Sequence, residues 1–281
     1  MPEDGRWVTI RNFLVESQGR MTAARIDELF DAGAIVDMQG PVARDARYSP
    51  GEAVWFHRDL PVETVVPFEI PIVFSDATLL VVDKPHFLPT IPRGGHILQT
   101  ALVRLRNELD LPDLVPAHRL DRVTAGLVLF VIDPAVRGAY QTLFQDRKVS
   151  KEYEAVAPYD PTLTFPREVT SRIVKEKYAF AAQEVAGKPN ADTLVELLDY
   201  RNGLGRYRLH PRTGRTHQLR LHMSSLGIPI LGDDLYPLPT GRDVDDFTAP
   251  LQLLASALEF TDPISGDVRR FESARTLESW S

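Results

Sequence analysis

The stretch HRLDRVTAGLVLF, residues 118–130, joins a short polar segment to a long apolar run. Its second half continues to residue 132 without a charged residue, a pattern typical of a strand buried on both faces within a sheet. Its first half places Asp121 between Arg119 and Arg122, just before a Thr-Ala-Gly bend. Side chains in such a bend are held by the scaffold yet exposed. Asp121 is therefore the first candidate for a functional group.

The composition is that of a soluble globular protein. The 281 residues are 43% hydrophobic and 25% charged, enough for one large domain or a large and a small one. The absence of cysteine excludes disulfides and thiolate metal sites and favours a reducing compartment. No apolar run approaches the ~20 residues of a membrane span, and the first residues lack the pattern of a signal peptide. We therefore expect a cytoplasmic protein without a membrane segment.

The charges are unevenly distributed along an acidic chain. The formal net charge is −7, yet residues 201–222 contain six arginines, three histidines and no acid. A second basic cluster, Arg147, Lys148 and Lys151, lies close in sequence to Tyr153. Because phosphate binding is driven by Lys and Arg, this distribution predicts a polyanion bound in a defined cleft. The alternative is a solvated charged face.

The chain divides into two predicted domains, residues 1–62 and 68–281, joined by a proline-rich segment. We expect helices at 23–33, 97–110, 133–145 and 215–227. We expect strands at 34–38, 52–57, 79–85, 126–132 and 150–158, and a hairpin around NGLG, residues 202–205. The first domain is therefore a small α/β unit. In the second, strands and helices mix without strict alternation, which indicates the α+β class.

Common cofactor and metal signatures are missing from the sequence. It contains no phosphate-binding loop, no dinucleotide fingerprint and no H-E-x-x-H motif, so we expect neither a cofactor nor a metal. Arginine neighbours favour the ionised form of Asp121. An ionised, positioned aspartate is suited to act as a nucleophile or an electrostatic partner and is a poor general acid. A structural ion pair is the alternative.

Four blocks of this sequence resemble those of the RluA-type pseudouridine synthases. HRLDRVTAGLVLF resembles the signature of that family, and the other blocks are LLVVDKP (79–85), FQDRKVSKEYEAV (144–156) and RTGRTHQLRLHMSSLGIPILGDDLY (212–236). They occur in the family order within residues 68–262. The resemblance implies a pseudouridine synthase fold, with a mixed, mainly antiparallel central sheet and flanking helices. It also implies an isomerase that converts uridines of structured ribosomal or transfer RNA to pseudouridine without a cofactor.

The resemblance assigns three catalytic positions. Asp121 matches the family's nucleophile, which breaks the bond between N1 of the base and the sugar before the base rejoins through C5. Arg215 would pair with Asp121 and keep it ionised and aimed. Tyr153 would stack near the base and help to remove the C5 proton.

Further positions are implied for substrate binding. Arg119 would occupy the space vacated by the target nucleotide, since a base must leave its stack before such chemistry. Lys84 would bind the RNA backbone, and Leu219 would form an apolar wall for the uracil. The remaining positions expected to contact substrate are Arg122, Lys151, His217, Gln218 and Arg220.

The N-terminal unit resembles a small RNA-binding domain first seen in a ribosomal protein. Residues 1–66 hold seven arginines, no lysine and 11 acids. A domain that grips RNA should instead be basic. We therefore expect a degenerate version of that domain.

Two other functions are compatible with parts of the pattern. A non-catalytic RNA-binding protein on the same fold would explain the basic stripe. A glycosidase would need a second acid beside Asp121, for which Asp146 and Glu152 are the candidates. We expect a monomer, because the enzyme must enclose part of a large RNA.

Overall fold

The computed structural model describes residues 1–19, 21–57, 62–177 and 179–280. The chain forms two compact units, residues 1–61 and 62–281. Residues 58–61, at the end of the first predicted domain, lie outside the described part of the chain. In the described residues, no helix has the length and apolar character needed to cross a membrane.

The described part of the N-terminal unit contains two helices and one very short hairpin. Its elements are α1 (Ile10–Ser17), α2 (Ala23–Asp31), β1 (Val36–Asp37) and β2 (Gly40–Pro41). The helix predicted at 23–33 is confirmed as α2. The strand prediction at 52–57 was wrong. The pairing of that segment is one isolated bridge, between Trp55 and Val36 of the two-residue strand β1.

The described strands of the second unit form a single mixed sheet of 11 strands. Its strand order is β3-β4-β6-β12-β7-β11-β10-β8-β9, while β13 pairs with β12 and β5 with β6. The strands are β3 (Ile72–Ser75), β4 (Leu79–Lys84), β5 (Val115–Pro116), β6 (Ala125–Val131), β7 (Ser150–Pro158), β8 (Arg167–Val174), β9 (Gln183–Val185), β10 (Ala191–Arg201), β11 (Leu204–Pro211), β12 (Leu253–Thr261) and β13 (Val268–Glu272). Within the described residues, β6 and β12 are the one parallel pair, so the mainly antiparallel α+β prediction is confirmed.

In the described residues of this unit, three α-helices flank the sheet: α3 (Ala101–Leu109), α4 (Arg137–Gln145) and α5 (Gln218–Ser225). α3 begins later than predicted because Thr100 caps it, its hydroxyl accepting a hydrogen bond from the Val103 amide. α5 also begins later than predicted, because His217 adopts left-handed backbone angles (φ 56°) that a helix cannot contain.

The core lies on both faces of β4 and β6, whose residues are all buried. On one face, Val128 and Phe130 pack with Leu105 of α3. On the other face, Leu127 and Leu129 pack with Tyr140 of α4 and its neighbours. The apolar run of residues 126–132 is therefore a central strand covered on both sides, as its pattern predicts.

The register of three adjacent strands brings distant sequence blocks to one level. Ala255 of β12 is paired with Gly126 of β6 on one side and with Tyr153 of β7 on the other. Asp121 precedes β6 by a short bend, so it lies at the end of the sheet near Tyr153. Leu209 of β11 also pairs with Tyr153, and the segment leading to α5 follows β11 at that same end.

Candidate active site

The bend that carries Asp121 is fastened to the loop that follows β4. The hydroxyl of buried Thr90 accepts a hydrogen bond from the Leu120 amide at 3.1 Å and donates to the Leu120 carbonyl at 3.0 Å. The His86 Nδ1 lies 2.7 Å from the Val123 carbonyl, to which it donates. These contacts fix the residues on either side of Asp121. They therefore orient its carboxylate without forming hydrogen bonds to the carboxylate oxygens.

Lys84 takes part in the same fastening, and its predicted contact with RNA was wrong. The side chain is fully buried, and its Nζ donates to the carbonyls of Pro85 (2.9 Å), Leu88 (2.8 Å) and Arg122 (3.4 Å). Burial lowers the pKa of Lys84 to about 7, against the opposing charge of Asp121. A side chain enclosed by three carbonyl groups at the end of β4 cannot reach a phosphate.

Asp121 opens into a cavity of about 270 Å³ between the bend, β7 and the start of α5. The structure brings most of the sequence-predicted residues to its wall. Those that line it are Arg119, Asp121, Lys151, Tyr153, Arg215, His217, Gln218, Leu219 and Arg220. Lys84 and Arg122 are not among the lining residues.

The carboxylate of Asp121 is partly open to solvent, with 36% of the side chain exposed. In the described chain one basic side chain comes within 4.0 Å of it, that of His217, whose Nε2 lies 4.0 Å from Oδ1. The predicted pairing with Arg215 is absent, since the Arg215 Nε donates instead to the Asn190 carbonyl at 3.2 Å. Arg215 lies exposed at the rim of the cavity, where the bend before α5 points its side chain toward Asn190.

Tyr153 forms part of the apolar wall. It packs against residues of two separate core clusters, one around β4 and β6 and one around α5. Burial raises the pKa of its phenol, and the negative charge of Asp121 adds to this effect. The phenol is therefore protonated at neutral pH. Tyr153 presents an aromatic surface, and no basic oxygen, to a bound base.

Gln218, expected to contact substrate, already has four hydrogen bonds within the protein. Its Oε1 accepts from the Thr213 hydroxyl (2.6 Å) and the Arg215 amide (3.0 Å). Its Nε2 donates to the Asp192 carbonyl and the Thr193 hydroxyl, both at 2.9 Å. A glutamine amide has no further capacity. The structure therefore corrects its role to holding the start of α5 against β10.

Arg220 is similarly occupied by protein groups. Its guanidinium is buried and donates to both carboxylate oxygens of Asp233 and to Asp234, the last at 2.6 Å. Burial lowers its pKa, but the bonded carboxylates outweigh that effect, so the net shift is upward. Arg220 lines the cavity as a fixed cation. Leu219 beside it is buried against Val123 and forms an apolar wall.

Basic grooves adjoin the cavity on two sides. A groove of about 870 Å³ shares Arg147, Lys151 and Arg215 with it and adds Lys148, His210 and Arg212. A second groove, of about 660 Å³, shares Arg119, Asp121 and His217 and adds Arg93, His96, Arg122, Lys175 and Arg242. The cavity of Asp121 thus shares lining residues with two grooves that both carry cationic side chains, alongside Asp192 in the first and Asp234 in the second. That arrangement suits a strand of phosphodiesters.

Both candidates for the second acid of a glycosidase are engaged elsewhere. Asp146 pairs with Lys148 at 3.2 Å, and Glu152 pairs with Arg270 at 2.9 Å. Neither acid lines the cavity of Asp121. In the described part of the chain, no group of three or more histidines and acids is placed to hold a metal ion.

Three residues of the site were not singled out from the sequence. Thr90 and His86 follow the block LLVVDKP, and Tyr236, which ends the block of residues 212–236, donates to and accepts from the backbone of Ala182 and contacts His217. Their place at the edge of matched blocks is the signal that could have indicated them.

Arg122, which was expected at the substrate, lines the second groove and donates to the Val244 carbonyl at 3.1 Å.

Comparison with known proteins places this geometry in a family. A family model described as RNA pseudouridylate synthase matches residues 78–225. The Haemophilus influenzae dual-specificity RNA pseudouridine synthase RluA is 31% identical over 208 residues, covering 73% of this chain and 92% of that protein. Human pseudouridylate synthase RPUSD2 is 36% identical over 185 residues, covering 64% of this chain. The chain spans about a third of the length of that human protein, 33%.

A solved structure agrees with the fold. Human RNA pseudouridylate synthase domain containing 1 superimposes with a TM-score of 0.59 at 24% sequence identity, covering 74% of this chain and 84% of that chain. The family model covers more than half of the chain, including the strands and bends that carry Asp121, Tyr153 and Arg215. The chain therefore belongs to the RNA pseudouridylate synthase family, in its RluA-type branch, and is an isomerase of uridine in RNA.

Proposed function

We propose that Asp121 is the catalytic carboxylate with which this protein converts uridine to pseudouridine in structured ribosomal or transfer RNA. One observation carries this assignment. Among the described residues that line the 270 Å³ cavity, Asp121 is the sole carboxylate. A single carboxylate suits nucleophilic attack or stabilisation of a cationic sugar, and it does not provide the pair that a glycosidase needs.

The reaction at this site needs no redox partner and no group donor. The bond between N1 and C1′ breaks, and its electron pair leaves with the base while Asp121 attacks or stabilises the sugar. The base rotates and its C5 bonds to C1′. C5 then loses its hydrogen as a proton, and N1 takes up a proton. The product is an isomer of the substrate.

The walls of the cavity fit these steps. We assign Tyr153 and Leu219 to the two faces of the uracil, since both are apolar surfaces beside Asp121. Arg119 is exposed next to Asp121, where it can fill the gap that a flipped nucleotide leaves in the RNA stack.

The grooves supply the affinity for RNA. Lys151 and Arg147 lie where the larger groove meets the cavity, so phosphates bound there would flank the target nucleotide. Electrostatic contacts of this kind position an RNA without reading its sequence. The name of the bacterial relative, a dual-specificity RNA pseudouridine synthase, is consistent with a site that accepts more than one RNA.

We further propose that the protein acts as a cytoplasmic monomer and that its N-terminal unit is a degenerate RNA-binding domain. Several arginines of this unit already pair with its own acids, which supports that view. Those pairs are Arg6–Glu16, Arg11–Asp27, Arg25–Glu28 and Arg44–Asp31. An arginine neutralised in this way contributes little to phosphate binding.

Mapping pseudouridine in cells tests the assignment and finds the target. Ribosomal and transfer RNA would be isolated from cells that lack the protein and from cells complemented with wild type or Asp121→Asn. We expect one or a few pseudouridines to disappear without the protein and to return with wild type alone. Their return with Asp121→Asn would favour a non-catalytic RNA-binding protein and overturn the assignment.

A further inference from the structure

The second groove contains an aromatic residue that the proposed chemistry does not use. Phe180 lines this groove together with the cations described above, and 88% of the residue is exposed. Among the described residues it is the most exposed phenylalanine, tyrosine or tryptophan, ahead of Tyr200 at 59%. A single exposed apolar residue is ordinary on a protein surface. The surroundings of Phe180 therefore decide whether it has a function.

The backbone around Phe180 is held on both sides. On one side, the Nζ of Lys175 donates to the Phe180 carbonyl at 3.0 Å. On the other side, the amide and the carbonyl of buried Ala182 both bond the Tyr236 hydroxyl, each at 2.9 Å. Strands β8 and β9 pair immediately outside this segment. The exposed ring is therefore carried by an anchored segment.

The same anchors connect this segment to the catalytic cavity. The Tyr236 hydroxyl that holds Ala182 lies 2.9 Å from Nδ1 of His217, and Nε2 of His217 lies 4.0 Å from Asp121. Burial lowers the pKa of Lys175, and the negative charge of Asp121 opposes that effect. The second groove also shares Asp121 with the cavity. A nucleotide next to one held at the catalytic carboxylate can therefore enter this groove.

The charges around the exposed ring favour a nucleotide as its partner. Three cations that line the groove with it are Arg93, Lys175 and Arg242. Of the two acids that line the groove, Asp234 is already bonded by Arg220 at 2.6 Å and Asp121 belongs to the catalytic site. Cations for phosphates and an aromatic face for a base are the two components of a site for single-stranded nucleic acid. An apolar protein partner would need the ring and not the cations.

We propose that Phe180 stacks on an unpaired base next to the target uridine, an inference that rests on the proposed function of Asp121. The base lies on the phenyl ring while its flanking phosphates contact the cations of the second groove. Such stacking accepts any base, because every base has a π face. The base must, however, be free of its own pairing. The substrate is therefore a uridine in a loop or bulge whose neighbour can also unstack, and a uridine inside a continuous helix is a poor substrate.

Two substitutions separate stacking from other roles of Phe180. Phe180→Leu keeps an apolar side chain without a ring, whereas Phe180→Trp keeps a ring. The probe is ribosomal and transfer RNA labelled with tritium at C5 of uridine, isolated from cells that lack the protein. We expect Phe180→Leu to raise KM about tenfold and to keep kcat within about twofold, because stacking contributes equally before and during the reaction. Phe180→Trp should keep the wild-type KM.

A matched control tests whether the effect belongs to this groove. Tyr200 is exposed and lies outside the residues that line the groove. Tyr200→Leu makes the same kind of change, from an exposed ring to leucine. It should therefore change neither KM nor kcat.

Fluorescence provides a measurement that does not need turnover. The chain contains three tryptophans, so the emission of Phe180→Trp minus that of wild type reports the added indole. Stacking on a base should quench this added emission by at least about half when the same RNA binds. An unchanged KM in Phe180→Leu, or an added emission that RNA does not quench, would overturn the proposal and indicate a protein partner for the exposed ring. If wild type bound RNA but released no tritium, the proposed function would have failed, while the quenching and the RNA affinity of Phe180→Leu would still test the stacking.

Discussion

Gly126 of β6 lies directly against the backbone of Ala255 in β12, the strand that runs parallel to it. Its φ of 114° is strained for any residue with a β-carbon. A β-carbon built there would come within 2.6 Å of the Ala255 nitrogen. The glycine of HRLDRVTAGLVLF thus allows the parallel pairing that sets Asp121 beside Tyr153.

Gly126→Ala should therefore destabilise the protein by more than about 2 kcal/mol, because backbone must move to admit the methyl group. Urea unfolding measures the change. The matched control is Gly138→Ala in α4, where a β-carbon meets nothing within 4 Å. That variant should be stabilised by about 0.5–1 kcal/mol. Equal effects of the two substitutions would contradict the role of Gly126.

Thr90→Val should loosen the bend that holds Asp121. Valine removes the hydroxyl that bonds both the amide and the carbonyl of Leu120. Two backbone groups lose their partner, which costs about 1–3 kcal/mol of unfolding free energy. We expect kcat to fall at least about tenfold through misplacement of the carboxylate. Thr162 is exposed and its hydroxyl bonds Asp160, so Thr162→Val should change neither quantity appreciably. Wild-type kcat in Thr90→Val would show that the fastening does not matter for catalysis.

The larger groove predicts a salt-dependent contribution to RNA binding. Arg147→Gln and Lys151→Gln, at two cations that line both this groove and the cavity, should each weaken binding and reduce the slope of log affinity against log salt by about 1. Exposed Lys188 lies outside the residues that line this groove, so Lys188→Gln is the control and should leave the slope unchanged. Titration of RNA at several salt concentrations measures the slopes. Identical slopes for all three variants would exclude this groove as the RNA path.

His118 should make stability depend on pH. Burial, with the charge of Lys151, lowers the pKa of His118 to about 3, and its Nε2 accepts the Leu129 amide. The unfolded chain takes up this proton near pH 6.5 and the folded one does not. The free energy of unfolding therefore has its full value above pH 6.5. Between pH 6.5 and pH 3 it falls by up to about 1.4 kcal/mol per pH unit as the pH is lowered. His118→Gln should lower that slope in urea unfolding, whereas exposed His57→Gln should not.

The central strands and the grouping of Asp121 with Tyr153 and Arg215 around one cavity were predictable from sequence. An uninterrupted apolar run as short as residues 126–132 predicts a buried strand. The order of the four blocks indicated the family. The fold class followed from the same pattern. These features depend on local periodicity or on long quoted motifs, which a single sequence displays.

Other features depend on contacts that no local pattern displays. A lysine before a proline at a strand end is usually exposed, yet Lys84 is enclosed by three carbonyl groups from two loops. Gln218 is saturated by four hydrogen bonds, two of which go to β10, more than twenty residues away along the chain. Arg215 was expected at Asp121 and bonds Asn190, because its bend directs it along the rim. Each outcome was decided by tertiary geometry.

Release of tritium from C5 of uridine most directly tests the central claim, that Asp121 catalyses formation of pseudouridine. RNA labelled with tritium at C5 would be isolated from cells lacking the protein and incubated with purified wild type or Asp121→Asn. We predict stoichiometric release at specific sites with wild type and none with the variant, while both bind RNA equally. Release by Asp121→Asn at the wild-type rate, or no release by a wild-type protein that still binds RNA, would contradict the account.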